Sequence, residues 1–204
     1  MDLTSVQQDA LVELINIGFG RAAASLSKLT GQRVQLQVPE ITMCPIEEMA
    51  SYLRPLVENE VASVHQIFSG PVEGDALLVL DQSSAAILKE LLTNEPALPL
   101  EIDRSAREVL TEIGNILLNA CLGTFGNLLK VQVSFSVPHL ALETLEGIVG
   151  SIAVGRQGLR YALIVHAAFR LRDSSLTGYL VIVLGVASIE RLIRALESWE
   201  AEQH

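Results

Sequence analysis

In the segment DALVELINIGFG, residues 9–20, the apolar positions recur at helical spacing, while Asp9, Glu13 and Asn16 stand at i, i+4 and i+7 on one polar stripe. The same arrangement returns 99 residues later. Laying 9–41 over 108–140 matches Leu11, Glu13, Asn16, Ile17, Leu29, Val34, Val38 and Pro39 with identical residues at 110, 112, 115, 116, 128, 133, 137 and 138. Apolar matches follow from a shared helix and strand period, so the polar ones carry more weight.

A second correspondence joins GDALLVLDQSSAAILKELL (74–92) to GYLVIVLGVASIERLIRAL (178–196), at an offset of 104. Each reads as a strand, a Ser-bearing turn and an amphipathic helix, and each follows a β-like run, 60–69 or 160–172. The pattern therefore predicts two halves, about 1–98 and 99–204, each built as long helix, strand, irregular region, hairpin and helix. The join falls at the Pro-bearing stretch 93–101. Halves of this size would share one sheet about a pseudo-two-fold axis, giving a single domain over 1–204.

Ser5 with Gln8, and Ser105 with Glu108, have capping-box spacing at the starts of the long helices. Gly31 and the Gly123/Gly126 pair are the expected terminators, each followed by a short strand ending at Pro39 or Pro138. From the motif Asn to the Pro there are twenty-two intervening residues in both halves.

Half of the 204 residues are hydrophobic, enough for a sizeable core. The longest near-continuous apolar run, 179–189, is about half of what a bilayer-spanning helix needs. The N-terminus lacks a basic region followed by an apolar block. Cys44 and Cys121 lack CxxC spacing and read as buried free thiols. These features predict a cytoplasmic protein without membrane insertion. A formal net charge of −10 argues against nucleic acid and points to protein partners. The fourteen Lys and Arg are scattered along the chain, so no basic pocket for a small anion is expected.

Gly18-Phe-Gly20-Arg-Ala-Ala23 fits a loose dinucleotide-loop pattern, but no strand precedes it and the residues before it are helical. The glycines instead serve close helix packing or, at Gly20, leave Asn16 uncovered. His65, His139, His166 and His204 are isolated, with His65 and His166 at equivalent places in the two hairpins, and no metal spacing is present. There is no GxSxG elbow, Walker loop or HExxH.

A carboxylate stripe on a helix is usually just solvated. Asn in mid-helix is less comfortable, because it competes for local backbone hydrogen bonds. Its recurrence with Glu three residues earlier, at one register relative to a Pro, marks a site. A carboxamide is neither nucleophile nor base, but it can orient a water. The Glu can grip a cation on whatever docks there. Such a set completes another protein's active site, as a glutamine orients the attacking water in GTPases.

The runs Asp9-x3-Glu13-x2-Asn16-x22-Pro39 and Glu108-x3-Glu112-x2-Asn115-x22-Pro138 resemble the motif of the CheC/CheX/FliY family of chemotaxis phosphatases, and the two complete sets resemble its CheC branch. The resemblance implies an α/β fold of α+β type, with both motif helices side by side on one face of an antiparallel sheet of about six strands. It implies hydrolysis of the aspartyl phosphate of a CheY-like receiver, Asn16 and Asn115 placing the water and Glu13 and Glu112 pairing with a basic residue of the receiver. Asp9 and Glu108 are weaker docking candidates. The chain itself would bind no cofactor, with Mg²⁺ in the receiver's active site. CheD is a further partner the family implies, and a non-catalytic receiver-binding, CheD-binding or flagellar-switch adaptor is the alternative. Two departures stand out: Glu108 where the family has Asp or Ser, and Leu117 and Asn119 where the first helix has Gly18 and Gly20.

Overall fold

The computed structural model describes residues 3–57, 60–93, 104–155, 158–171 and 174–203. Helix α1 (Ser5–Thr30) begins one residue before the expected box. Thr4 is extended (φ −68°, ψ 159°), its Oγ1 accepts from Gln7 N–H at 3.2 Å, and Thr4 N–H donates to Gln7 Oε1 at 2.9 Å. Both spacings satisfy the capping rule, and the one whose first residue leaves the helix region prevails. Gly31, at φ 67°, ends α1 as expected.

Helix α4 (Arg104–Leu128) is already helical at Arg104, so Ser105 lies within the helix rather than at its cap. Gly123 and Gly126 also lie inside it and do not end it. The helix continues because Thr124, Phe125 and Gly126 are still buried, and the chain turns only at Lys130, in the left-handed region at φ 54°. Gly126 permits the return: Val131 N–H donates to its carbonyl at 2.9 Å, and a Cβ there would stand 3.2 Å from Val131 O.

The strands are β1 (Val34–Pro45), β2 (Glu60–Ser69), β3 (Gly74–Asp81), β4 (Ser134–Phe135), β5 (His139–Thr144), β6 (Leu159–Leu171) and β7 (Ser174–Gly185). They form one antiparallel sheet in the order β1-β6-β7-β3-β2-β4, with β5 beside β4 on the same side of β2. At its centre β3 pairs with β7, and Leu77 faces Val181. Those two are counterparts at the offset of 104, so a two-fold relation passes between them and carries β3 onto β7. His65 faces Leu77, whereas His166 faces Tyr179, so the histidines are two residues out of correspondence rather than equivalent. The expected join lies, beyond Thr93, outside the described residues.

Helices α1 and α4 pack side by side on one face, together with α3 (Gln82–Thr93) and α6 (Val186–Gln203). Their core takes alternate sheet residues, among them Val64, Phe68, Leu78, Leu80, Val165 and Ile182. The segments between the first strand and the hairpin of each half, expected to be irregular, form short helices that cover the opposite face. These are α2 (Met49–Leu53) and α5 (Leu145–Gly155), over Val61, Leu77, Val79, Ile164 and Val181. Arg54, just past α2, pairs with Glu146 of α5 across this face. Burial on both faces explains why β7 reads as a continuous apolar run instead of an alternating one. By length and mean hydropathy α4 could cross a bilayer; here its apolar residues are spent on the sheet and on α1.

Candidate functional site

Along α1 the buried side is Leu11, Leu14, Ile15, Gly18, Phe19 and Ala22, which leaves Asp9, Glu13 and Asn16 exposed on the other. What holds the asparagine comes from β1. Between Gln37, opposite Ala168, and Glu40, opposite His166, the register shifts, so Val38 and Pro39 together face Ala167 alone. A bulge of this kind removes backbone groups from the ladder, and a proline fits there because it has no N–H to lose. Val38 N–H does have one, and it donates to Asn16 Oδ1 at 3.2 Å. The twenty-two residues between Asn16 and Pro39 are the path from the helix to that bulge. Pro39 therefore does not end β1, which continues to Pro45.

The second half is bulged at the same motif position. Phe135 faces Phe68 and His139 faces His65, so Ser136, Val137 and Pro138 oppose Gln66 and Ile67. Here the strand is fully broken into β4 and β5. Ser136 secures the break: its N–H donates to Ile67 O at 2.9 Å, its Oγ accepts from Ile67 N–H at 2.9 Å, and its carbonyl accepts from buried Gln66 Nε2 at 3.0 Å. Val137, the counterpart of Val38, is 88% exposed. Asn115 is half-buried, and its Oδ1 accepts from Asn119 Nδ2 at 2.7 Å.

Each motif helix is also tied to the strand beyond its bulge. Gln8 Nε2 donates to Ile41 O at 2.7 Å, and Arg107 Nη1 donates to Leu140 O at 2.8 Å. Residues 8 and 107, and 41 and 140, are pairs at the offset of 99. Residue identity between the halves does not reveal this shared tie, which a glutamine makes in one half and an arginine in the other.

The carboxylates of Asp9, Glu13 and Glu112 are exposed and make no hydrogen bond or ion pair among the described residues. Glu108 is committed to its own helix, accepting from Arg104 Nε at 2.8 Å. Such an exposed i,i+4 pair contributes little to stability because solvent screens it. Beyond the prolines the halves differ in charge: Glu40 is exposed in the first, while His139 is its counterpart in the second, its ring 5.6 Å from that of His65. His65 in turn contacts Asp75 Oδ1 at 2.6 Å, on the face opposite the motif helices.

The glycines divide. A Cβ on Gly18 would stand 3.1 Å from Thr124 Oγ1 and 3.2 Å from Cys121 Cα, so Gly18 serves the approach of α1 to α4. A Cβ on Gly20 would meet nothing within 4 Å, and its absence leaves the space beside Asn16 open.

Both cysteines are buried free thiols. Burial, with Glu48 nearby, pushes Cys44 up to about 11, and complete burial pushes Cys121 higher still, so neither is a thiolate nucleophile at neutral pH. Lys130, Arg191 and Arg194 are not scattered as expected but meet with Trp199 at a cleft of about 560 Å³, formed where the end of α4 turns back against α6. Gln32, Arg33, Gln35 and Arg170 line a second of similar volume. No stripe residue lines either one. What the stripes offer is an amide whose oxygen is held and whose N–H groups are left over. Beside it, one turn earlier, is an uncommitted carboxylate.

No family model matches the chain. It is 25% identical over 198 residues to the CheY-P phosphatase CheC of Bacillus subtilis, covering 93% of each chain. It is 29% identical over 148 residues to the flagellar motor switch phosphatase FliY of the same organism, covering 69% of this chain and 37% of that longer protein. Among solved structures, Thermotoga maritima FliY superposes with a TM-score of 0.78 at 18% identity, over 97% of this chain and 99% of that one. The FliM middle domain of H. pylori superposes with a TM-score of 0.67 at 13% identity, over 95% and 99%. The structural likenesses establish a shared fold.

Proposed function

We propose that the chain belongs to the CheC/CheX/FliY family of chemotaxis phosphatases and hydrolyses the aspartyl phosphate of a CheY-like receiver. The observation that carries the reading is the Asn16 amide: exposed, its oxygen taken by Val38 N–H, its Nδ2 free to hold a water, and Glu13 uncommitted one turn earlier. In this reading Asn16 or Asn115 enters the receiver's active site and places a water in line with phosphorus. The water oxygen bonds to phosphorus as the bond to the aspartyl oxygen breaks. The water's proton leaves with the inorganic phosphate, and the receiver's carboxylate is restored. Glu13 and Glu112 pair with a cation beside that site, and Asp9 adds to docking. The receiver supplies Mg²⁺, so this chain's contribution is placement, which by itself lowers barriers substantially.

The test is the decay of a phosphorylated receiver with wild-type protein, Asn16→Ala, Asn115→Ala and the double variant. The double variant is expected to return decay to the receiver's own rate, a loss of about 100-fold if placement is the main effect. A double variant as fast as wild type sinks the proposal. The exposed motif stripes also allow a second reading, a binding module for the receiver. Retained binding of the phosphorylated receiver with unchanged decay is its signature, and CheD binding is compatible with either.

A further inference from the structure

The two motif asparagines are held by different donors. Val38 N–H, freed by the bulge in β1, donates to Asn16. At Asn115 the donor is Asn119 Nδ2, from one turn further along the same helix. Val137, which corresponds to Val38, stands in the break between β4 and β5 and gives Asn115 nothing.

Asn119 occupies the place of Gly20, where α1 needs no side chain at all. Helix formation does not account for it, since Asn is a poor helix former. Nor does polar satisfaction: Asn119 Oδ1 is buried with no hydrogen-bond partner among the described residues. An unsatisfied buried acceptor costs stability, and alanine or glycine in its place would remove that cost. Among the described residues, the one favourable polar contact the side chain makes is to Asn115.

We propose that Asn119 is a positioning residue for Asn115. It holds the Asn115 amide with the oxygen turned toward Asn119, leaving both N–H groups to a docked receiver and its water. It does from the helix what Val38 does from the sheet. The consequence for turnover rests on the water-placing reading above; the hold on the amide does not.

The experiment uses the full chain carrying Asn16→Ala, so that only the Asn115 site turns over, and compares Asn119→Gly, Asn119→Asp and Asn119→Gln. Asn119→Gly is expected to lower kcat about tenfold with KM unchanged within about twofold, the mark of lost placement rather than lost docking. Asn119→Asp keeps the shape but can only accept, so it turns the Asn115 amide around and loses at least as much. Asn119→Gln keeps a donor and recovers part of the rate. Equal turnover of the parent, Gly and Asp variants overturns the proposal. So does a parent already at the receiver's spontaneous rate when wild type is active. A readout independent of activity is the Asn115 side-chain amide signal in a ¹⁵N–¹H spectrum. It should shift in Asn119→Gly while signals outside α4 stay in place, and an unmoved signal overturns the proposal. If wild type fails to accelerate decay, the phosphatase reading falls, and the spectrum still decides the hold on Asn115.

Discussion

Helices α1 and α4 carry the same Glu-x-x-Asn spacing into the same fold, yet they seat it differently. Helix α1 borrows a backbone N–H from the bulge of β1, so its asparagine is held by the sheet and stays exposed. Helix α4 lies against a broken strand, uses a side chain of its own, and keeps its asparagine half-buried. The contact with the sheet also differs: α4 has Gly114 where α1 has buried Ile15. A Cβ on Gly114 would fall 2.4 Å from Val64 Cγ1, so α4 rides directly on β2. The comparison teaches that a motif read by spacing does not specify what holds it. The two copies can therefore diverge in accessibility while every motif residue is retained.

The largest effect expected from this difference is on stability. Gly114→Ala forces α4 off Val64 and should cost about 2 kcal/mol, since overpacking outweighs the gain in helix propensity. Urea denaturation measures it, and an unchanged midpoint would mean that α4 is not seated as described. Next comes the division of labour between the asparagines. Asn16 is the more exposed and shares its stripe with two uncommitted acids, Asp9 and Glu13, while Glu40 is exposed two residues past its donor Val38. Asn16→Ala should slow catalysed receiver dephosphorylation about tenfold, close to 1.4 kcal/mol, and Asn115→Ala should lower it by only about a tenth. Equal losses, or the reverse order, would break the comparison. The smallest effect separates the glycines. Gly20→Ala meets no obstruction and should raise stability by about 0.5–1 kcal/mol, because alanine loses less backbone freedom than glycine. If the gap beside Asn16 matters, the same variant lowers activity with Asn115→Ala present and leaves it unchanged with Asn16→Ala present.

Much of this was legible in the sequence, and the reasons differ by element. Strands β2 and β6 fall within a residue of their expected limits and β3 begins at Gly74 as expected, because alternating or doubly buried apolar runs bounded by Gly and charged residues define them, whereas β7 begins at Ser174, four residues before the expected Gly178. The shared sheet follows from the repeat, and the two long helices on one of its faces from the resemblance to the family. Helix α5 was hidden: LEGIVGSIAVG carries three glycines, and its helical period is short. It forms because the sheet's far face, with Leu77, Val79 and Val181, must be covered. In the candidate site the stripe residues were visible, but their supports were not. Val38 acts through its backbone, Gln8 and Arg107 share a partner position without sharing a residue type, and the bulge exists only once β1 lies on β6.

The bulge at Val38 and Pro39 turns the stretch between helix and strand into a ruler. From Asn16 the chain must finish α1, turn at Gly31 and run four residues of β1 to bring one N–H to one carboxamide. A residue gained inside α1 would swing the asparagine about 100° around the helix, and a residue gained inside β1 would present the opposite side of the strand. Only the turn between them, residues 31–33, can absorb a change of length without carrying the amide away from its donor.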